Sequence, residues 1–244
     1  MDDLARVRER LAIAKSVAVL TGAGVSAESG VPTFRGPQGL WRNFRPEELA
    51  TPDAFERDPK LVWEWYDWRR GLIAPLKPNP GHYAIAEMEK RFPEFLLITQ
   101  NVDGLHRVAG NAKMVELHGN IWHARCTAEG TVRENRDVPL KEIPPRCRCG
   151  ALLRPHIVWF GESLEEDVLE KAVNSCKRCE VLIVAGTSSV VQPAASLAGI
   201  AREAGAFVVE VNPEETPLTP MADAYLQGAS GLILPQLMMK ENHG

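Results

Sequence analysis

Four short apolar runs along the chain each end in small or polar residues. Val17-Ala18-Val19-Leu20 leads into Thr21-Gly22-Ala23-Gly24, and Phe95-Leu96-Leu97-Ile98 into Thr99-Gln100-Asn101-Val102-Asp103-Gly104. Further on, Val181-Leu182-Ile183-Val184 leads into Gly186-Thr187-Ser188-Ser189, and Phe207-Val208-Val209-Glu210-Val211 into Asn212. Short apolar runs bounded by turn residues predict strands buried on both faces, as in a parallel sheet. Helical patterns lie between and before them. Leu4, Val7, Leu11 and Ala14 recur at helical spacing, Asn79 as N-cap with Pro80 in the first turn opens a helix through Lys90, and another runs from Leu164 to about Lys177. Segments at Pro155 to Phe160 and near 232 read as further strands, and the alternation predicts a doubly wound α/β fold.

Two stretches break that rhythm. From Pro37 to Pro80 the chain carries Trp41, Phe44, Trp63, Trp65, Tyr66 and Trp68 without a strand pattern, which predicts a helical insert. From about Asn120 to Arg154 it turns polar, basic and proline-punctuated and holds Cys126, Cys147 and Cys149, which predicts a small inserted module. The sheet domain is then assembled from 1–36, 80–119 and 155–244. The inserts 37–79 and 120–154 together make the smaller part.

In an open parallel sheet the ligand crevice lies beyond the carboxyl ends of the strands, so the polar clusters there are the first place to look for chemistry. Gly22-Ala23-Gly24-Val25-Ser26-Ala27 fits G-x-G-x-x-G/A directly after a strand, where glycines let the backbone approach a pyrophosphate. The acidic residue that normally confirms the pattern belongs about 20 residues later, on a second strand. Here the tryptophan-rich insert occupies that place, which argues against a plain dehydrogenase, and a tight turn needing small residues gives the same pattern. Asn101 and Asp103 lie just past a strand, where they can serve a ligand or fix the turn at Gly104. His118 follows Met114-Val115-Glu116-Leu117 and precedes Gly119, a setting that suits a partly exposed imidazole able to take a proton near neutral pH. His106 and His156 also sit near these segments, and spacing does not rank the three.

Cys126 with Cys147 and Cys149 resembles a four-cysteine zinc ribbon lacking one ligand. Glu129 stands where C-x-x-C would place the second thiolate. Three readings stay open: zinc held by the three cysteines and another group, a labile metal, or a module that folds without one. Cys176 and Cys179 form a C-x-x-C at a helix end leading into a core strand and read as packed thiols. Tyr66 and Arg69 stand three apart in a helical pattern and share a face. An arginine fork beside a phenol suits a carboxylate, although a solvated arginine on an amphipathic helix has the same spacing.

Composition narrows the class. At 244 residues with 45% apolar content, the chain is long enough for a full core in one large domain with a small insert. A net charge of -4 gives no broad field toward nucleic acid or an anionic membrane. The absence of a membrane-length apolar run or a basic leader, together with an odd count of five cysteines, points to a cytoplasmic protein with reduced thiols.

Taken together, Gly22 through Arg35 (G-A-G-V-S-A-E-S-G-V-P-T-F-R), Thr99-Gln100-Asn101-Val102-Asp103, Leu117-His118-Gly119-Asn120, Val158-Trp159-Phe160-Gly161-Glu162 and Gly186-Thr187-Ser188 resemble the sirtuins, NAD-dependent protein lysine deacylases. The resemblance covers nearly the whole chain in order. It implies a Rossmann-like domain, a smaller zinc-ribbon and helical module, and an acyl-lysine protein or peptide bound in the cleft between them. It implies that Gly22, Ala23, Gly24, Phe34 and Arg35 line the cofactor loop, Gln100, Asn101 and Asp103 meet nicotinamide and its ribose, and Gly186, Thr187, Ser188 and Asn212 hold the rest of the dinucleotide. His118 would be the general base, with Asn101 and Asp103 beside it. Val158 to Glu162 would pair with the substrate backbone as an added strand.

In the reaction so implied, NAD is a consumed co-substrate: the acyl oxygen attacks the ribose carbon, nicotinamide leaves, and hydrolysis yields free lysine and O-acyl-ADP-ribose. Tyr66-Asp67-Trp68-Arg69 matches the Tyr-x-x-Arg of the desuccinylase and demalonylase class, and Thr33 stands where many sirtuins have aspartate. Protein mono-ADP-ribosyl transfer and a non-catalytic NAD-sensing module are the alternatives to be separated by experiment.

Overall fold

The computed structural model describes residues 2–33 and 45–239. Phe34, Arg35, Trp41 and Phe44 lie outside the described residues. The chain opens with α1 (Asp3–Ile13), β1 (Ser16–Thr21) and the short α2 (Ala23–Ala27). After the undescribed stretch come α3 (Pro46–Leu49), α4 (Pro52–Arg57) and α5 (Pro59–Ile73), then α6 (Pro80–Arg91), β2 (Glu94–Thr99), α7 (Leu105–Ala109) and β3 (Met114–Glu116). β4 (Gly119–Cys126), β5 (Val132–Glu134) and β6 (Leu153–Ile157) follow. The chain then returns through α8 (Glu166–Arg178), β7 (Val181–Ala185), α9 (Ser196–Glu203), β8 (Phe207–Asn212), β9 (Ala224–Gln227) and α10 (Ser230–Met238).

The larger sheet has six parallel strands in the order β3-β2-β1-β7-β8-β9. The chain runs outward from β1 to one edge, crosses back, and runs outward again. This is the Rossmann-like order, and its reversal falls between β1 and β7. Alternation along β1 explains the layering. Val17 and Val19 face a core shared with α1, α6 and α10, while Ala18 and Leu20 face one shared with α8 and α9. Both faces are covered, which is why the strands read as continuous apolar runs. In-register pairing sets Thr99, Thr21, Ala185 and Val211 side by side, so the polar residues after each form one rim.

β5, β4 and β6 form a small antiparallel sheet in that order. With α4 and α5 it encloses a third core that includes Phe55, Trp63, Trp65, Tyr66, Ile121, Trp122 and Trp159.

Two strand assignments from the sequence need correction. The segment beginning at Pro155 belongs to β6 of the small sheet, where it pairs with β4 rather than with the parallel sheet. β6 is an edge strand, so the missing N–H of Pro155 leaves the central ladder intact. The segment near 232 is helix α10, not a strand. Its apolar run is too short for periodicity to separate the two, and burial of Leu234 and Leu237 at i, i+3 suits a helix on α6. The last strand is instead the four-residue β9.

Asn79 caps α6 as expected. Its Oδ1 accepts from the amides of Gly81 and His82 at 2.9 and 3.4 Å, and its Nδ2 donates to Val25 O at 2.7 Å and Ser29 Oγ at 3.0 Å. One side chain thus opens the helix and fastens it behind the glycine loop. No helix among the described residues is long and apolar enough to cross a membrane.

Candidate functional site

The strand rim and the small module enclose a cavity of about 660 Å³. Gly22, Ala23 and Gly24 reach it from β1, Gln100 and Asn101 from β2, Gly186, Thr187 and Ser188 from β7, and Asn212 from β8. Tyr66 and Arg69 of α5, His118 and the segment Val158 to Glu162 line the same cavity. Residues separated by up to 190 positions meet here because the sheet order brings their strand ends together.

The glycine loop has a packing reason of its own. The Gly24 amide donates to Gly186 O at 2.8 Å, and a Cβ at either Gly22 or Gly24 would come within 2.8 Å of that oxygen. Two backbone segments therefore touch where the chain reverses, and neither glycine can carry a side chain without parting them. Gln100 Nε2 donates to Thr187 Oγ1 at 3.1 Å, joining the β2 and β7 ends. Asn101 Nδ2 donates to Ser26 Oγ at 3.2 Å, while its amide donates to Thr99 Oγ1 at 3.0 Å. Ser26 is a residue the sequence pattern passed over. It fills a wildcard position of the glycine motif, and only the fold turns its hydroxyl toward Asn101.

Asp103 sits beneath the lining rather than in it. Its Oδ1 accepts from the Leu105 amide at 2.8 Å, and its carbonyl accepts from Trp122 Nε1 at 2.7 Å. Gly104 takes φ +79° there, a left-handed turn packed against the Trp122 ring. Burial raises the pKa of Asp103 against the lowering pull of the Leu105 amide, Ser26 and the Arg69 charge. The carboxylate thus fixes the turn that follows Asn101.

The fold separates the three histidines. His118 lines the cavity, and its Nδ1 lies 3.2 Å from Gln100 O. A carbonyl only accepts, so Nδ1 carries the proton and Nε2 keeps a lone pair. Burial lowers the His118 pKa, with the Gln100 bond opposing, which keeps the ring neutral at physiological pH. His106 lies under the sheet end, 3.1 Å from Thr21 Oγ1 and with its ring 4.7 Å from that of His82. Burial pushes His106 well below the usual range and His82 down to about 4. His156 lines a separate cavity of about 320 Å³ with Arg125, Arg154 and Glu165.

Tyr66 and Arg69 do share a face of α5, and both are buried. The Tyr66 hydroxyl accepts from Trp159 Nε1 at 2.9 Å. The Arg69 guanidinium lies 4.9 Å from the Trp65 ring and 5.9 Å from the Tyr66 ring. Burial raises the tyrosine pKa and lowers that of Arg69. This end of the cavity is thus an aromatic wall carrying a desolvated cation, to which Trp65, unmarked in the sequence as a site residue, contributes. The neighbouring Arg70 has a different job: it donates to Ile121 O at 2.8 Å and Asn135 Oδ1 at 2.9 Å, tying α5 to the small sheet.

The Val158 to Glu162 segment continues past β6 as extended chain and turn. The Val158 amide donates to His118 O at 3.0 Å and the Phe160 amide to Ala50 O at 3.0 Å. Glu162 braces it, since Arg154 donates to both of its oxygens at 2.7 and 2.8 Å and the Trp159 amide donates to Oε2 at 2.9 Å. Val191, Gln192 and Pro193 face the same cavity, though no pattern in the sequence set them apart.

Far from this cavity along β4, the ligand atoms of Cys126, Glu129, Cys147 and Cys149 lie within 4.8 Å of one another. That donor set fits zinc. Cys176 and Cys179 are instead buried in the core, which pushes their thiols up to about 12 and about 11, in keeping with inert packing.

Comparisons with known proteins agree with this arrangement. The Sir2 family pattern matches residues 22–193. A protein of Aquifex aeolicus named NAD-dependent protein deacylase is 56% identical over 232 residues, 94% of this chain and 97% of its own length. One of Pyrococcus abyssi with the same name is 50% identical over 242 residues, 97% of this chain and 96% of its own. Among solved structures, a Sir2 homologue in complex with NAD superposes with TM-score 0.90 at 49% identity, covering 96% of this chain and 91% of that one. Another, Sir2Af2 bound to a myristoylated histone peptide, gives TM-score 0.78 at 35% identity, covering 96% and 94%. By motif order, fold and likeness along nearly its full length, this chain belongs to the Sir2 family.

Proposed function

We infer that the cavity is the site of NAD-dependent deacylation of protein lysines, with its Tyr66–Arg69 end shaped for an acyl group that carries a carboxylate. The observation that carries the reading is the meeting of a glycine-containing strand rim with a neutral imidazole and a buried arginine in one space. NAD, consumed in the reaction, supplies the ribose carbon that accepts the acyl oxygen and the nicotinamide that leaves. Gly22, Ala23, Gly24, Gly186, Thr187, Ser188 and Asn212 would hold the dinucleotide, since they line the cavity at the strand ends and Gly22 to Gly24 lead into the first turn of a helix. Gln100 and Asn101 would orient the nicotinamide half, with Asp103 and Ser26 positioning Asn101. Phe34 and Arg35 would line the cofactor loop, as the family motif implies.

His118 would act as the base, because its Nε2 lone pair is the basic nitrogen of the cavity-lining ring. Val158 to Glu162 would hold the substrate backbone. Since the Val158, Trp159, Phe160 and Glu162 amides are already used within the protein, pairing there falls chiefly to the carbonyls. Arg69 would clamp a succinyl or malonyl carboxylate through charge-assisted hydrogen bonds, with Tyr66 alongside. The residues 126, 147 and 149 would hold zinc as a structural clip. None of the five cysteines is paired in a disulfide, in keeping with a reducing compartment such as the cytoplasm.

Rates on acetyl-, malonyl- and succinyl-lysine peptides with NAD, with products identified by mass, test the whole reading. The expected result is nicotinamide and O-acyl-ADP-ribose in equal amounts, fastest on the acidic acyl groups. A protein adduct carrying ADP-ribose would establish transferase activity instead. Failure to release nicotinamide would leave a sensing module.

A further inference from the structure

We propose that Glu129 is the fourth protein ligand of a zinc ion in the small module, so that this chain holds its metal with three thiolates and one carboxylate. Cys126 is the last residue of β4, and Glu129 follows in a tight turn closed by the Gly130 amide donating to Cys126 O at 3.0 Å. Cys147 and Cys149 lie in a second tight turn, closed by the Gly150 amide donating to Cys147 O at 2.9 Å. Gly130 and Gly150 have φ of +68° and +90°, the left-handed backbone that lets each turn fold back on its sulfur. Two such turns facing one another form the two jaws of a zinc ribbon.

The distances suit a tetrahedral ion. With Zn–S of about 2.3 Å and Zn–O of about 2.0 Å, adjacent donor atoms should stand roughly 3.5–3.8 Å apart. Cys126 Sγ and Cys149 Sγ are 3.5 Å apart, and Cys147 Sγ and Glu129 Oε2 are 3.8 Å apart. The S···S edge should be about 3.8 Å and the S···O edge about 3.5 Å, so two opposite edges of the tetrahedron already stand within about 0.3 Å of the required length. The Glu129 amide also donates to Cys126 Sγ at 3.4 Å, and Thr131 Oγ1 lies 3.5 Å from Glu129 Oε2, outer contacts that would orient a ligating carboxylate. An exposed glutamate with no such role would be expected to extend into water. This one is turned inward onto the thiol cluster.

The consequence is a looser metal than four thiolates would give, because a carboxylate is a harder and weaker donor to zinc than a thiolate. Its effect on the fold is local. Seven residues of strand, about 23 Å, separate Cys126 from Gly119. The ion would therefore clip the far end of the strand that begins beside His118, away from the reacting atoms.

The test uses purified full-length protein and reads the metal rather than deacylation, so it succeeds or fails independently of the enzymatic reading. Zinc content should be one per chain. Chelator-driven release, followed with a metallochromic dye, should quicken about 10- to 100-fold in Glu129→Gln and slow about tenfold or more in Glu129→Cys. In the cobalt-substituted protein, the thiolate charge-transfer band should rise from a three-thiolate to a four-thiolate intensity on Glu129→Cys. Protein isolated without stoichiometric zinc would overturn the proposal, as would release rates unchanged in both variants. If Glu129→Gln fails to fold, an unchanged cobalt spectrum in Glu129→Cys overturns it.

Discussion

Arg69 shows how a single residue changes meaning between sequence and fold. On a helix of alternating tryptophans and charges it reads equally well as solvated, yet the structure buries it at 4% exposure against Trp65 and Tyr66 in the cavity wall. Replacement by methionine keeps the bulk and removes the charge. Loss of charge-assisted hydrogen bonds worth about 3 kcal/mol should lower kcat/KM on succinyl- and malonyl-lysine about 100-fold, while acetyl-lysine changes less than about threefold. Equal loss on all three would reject the carboxylate clamp. At His118 the prediction concerns pH. Burial lowers its pKa from the usual 6.5, so the neutral, proton-accepting form persists below that value. The acid limb of kcat/KM, which reports the free enzyme, should therefore have its midpoint below 6.5. A midpoint above 7 would remove His118 as the base in this state. Spacing marked three histidines without ordering them, and only the family motif favoured His118; the physical distinction lies in which ring faces the cavity.

At the scale of elements, the two junctions behind the glycine loop decide how rigid the site is. Asn79 makes two capping bonds on α6 and two more to the loop that follows β1. Asn79→Ala should cost about 1–3 kcal/mol in urea unfolding, more than an ordinary exposed cap, since the lost bonds to Val25 and Ser29 are buried as well. A cost below 0.5 kcal/mol, by the same measure, would show that Pro80 alone sets the helix start. The cap itself was legible, since Asn-Pro before an apolar periodic run is a local signal. Its bonds to residues 50 and 54 positions earlier were not. The same limit explains the two strand errors: Pro155 fits a strand only at an edge, and Leu232-Ile233-Leu234 becomes helical because α6 offers it a face.

Across the whole molecule, the sheet's carboxyl end rests on a buried polar layer that includes Thr21, Thr99, Ser26, His82 and His106. Both histidines are held neutral, His82 near 4. Below about 6.5 the unfolded chain takes up protons that the folded one refuses, so stability falls as pH drops from 6.5 toward 4. His82 alone should account for roughly 3 kcal/mol of that loss by pH 4. Thermal unfolding across this range should show the decline, and His106→Gln should make it shallower while the His82 part remains; a melting temperature constant from pH 7 to 4.5 would contradict the linkage. By itself the sequence determined the α/β alternation, the strand ends that carry chemistry and the family they spell, because these are local patterns of burial and turn chemistry. Tertiary structure alone decided which ring nitrogen of His118 is left with its lone pair, that Asp103 braces rather than lines the cavity, and that Glu129 turns onto three sulfurs. Those facts depend on contacts between segments far apart in the chain, which no local pattern encodes.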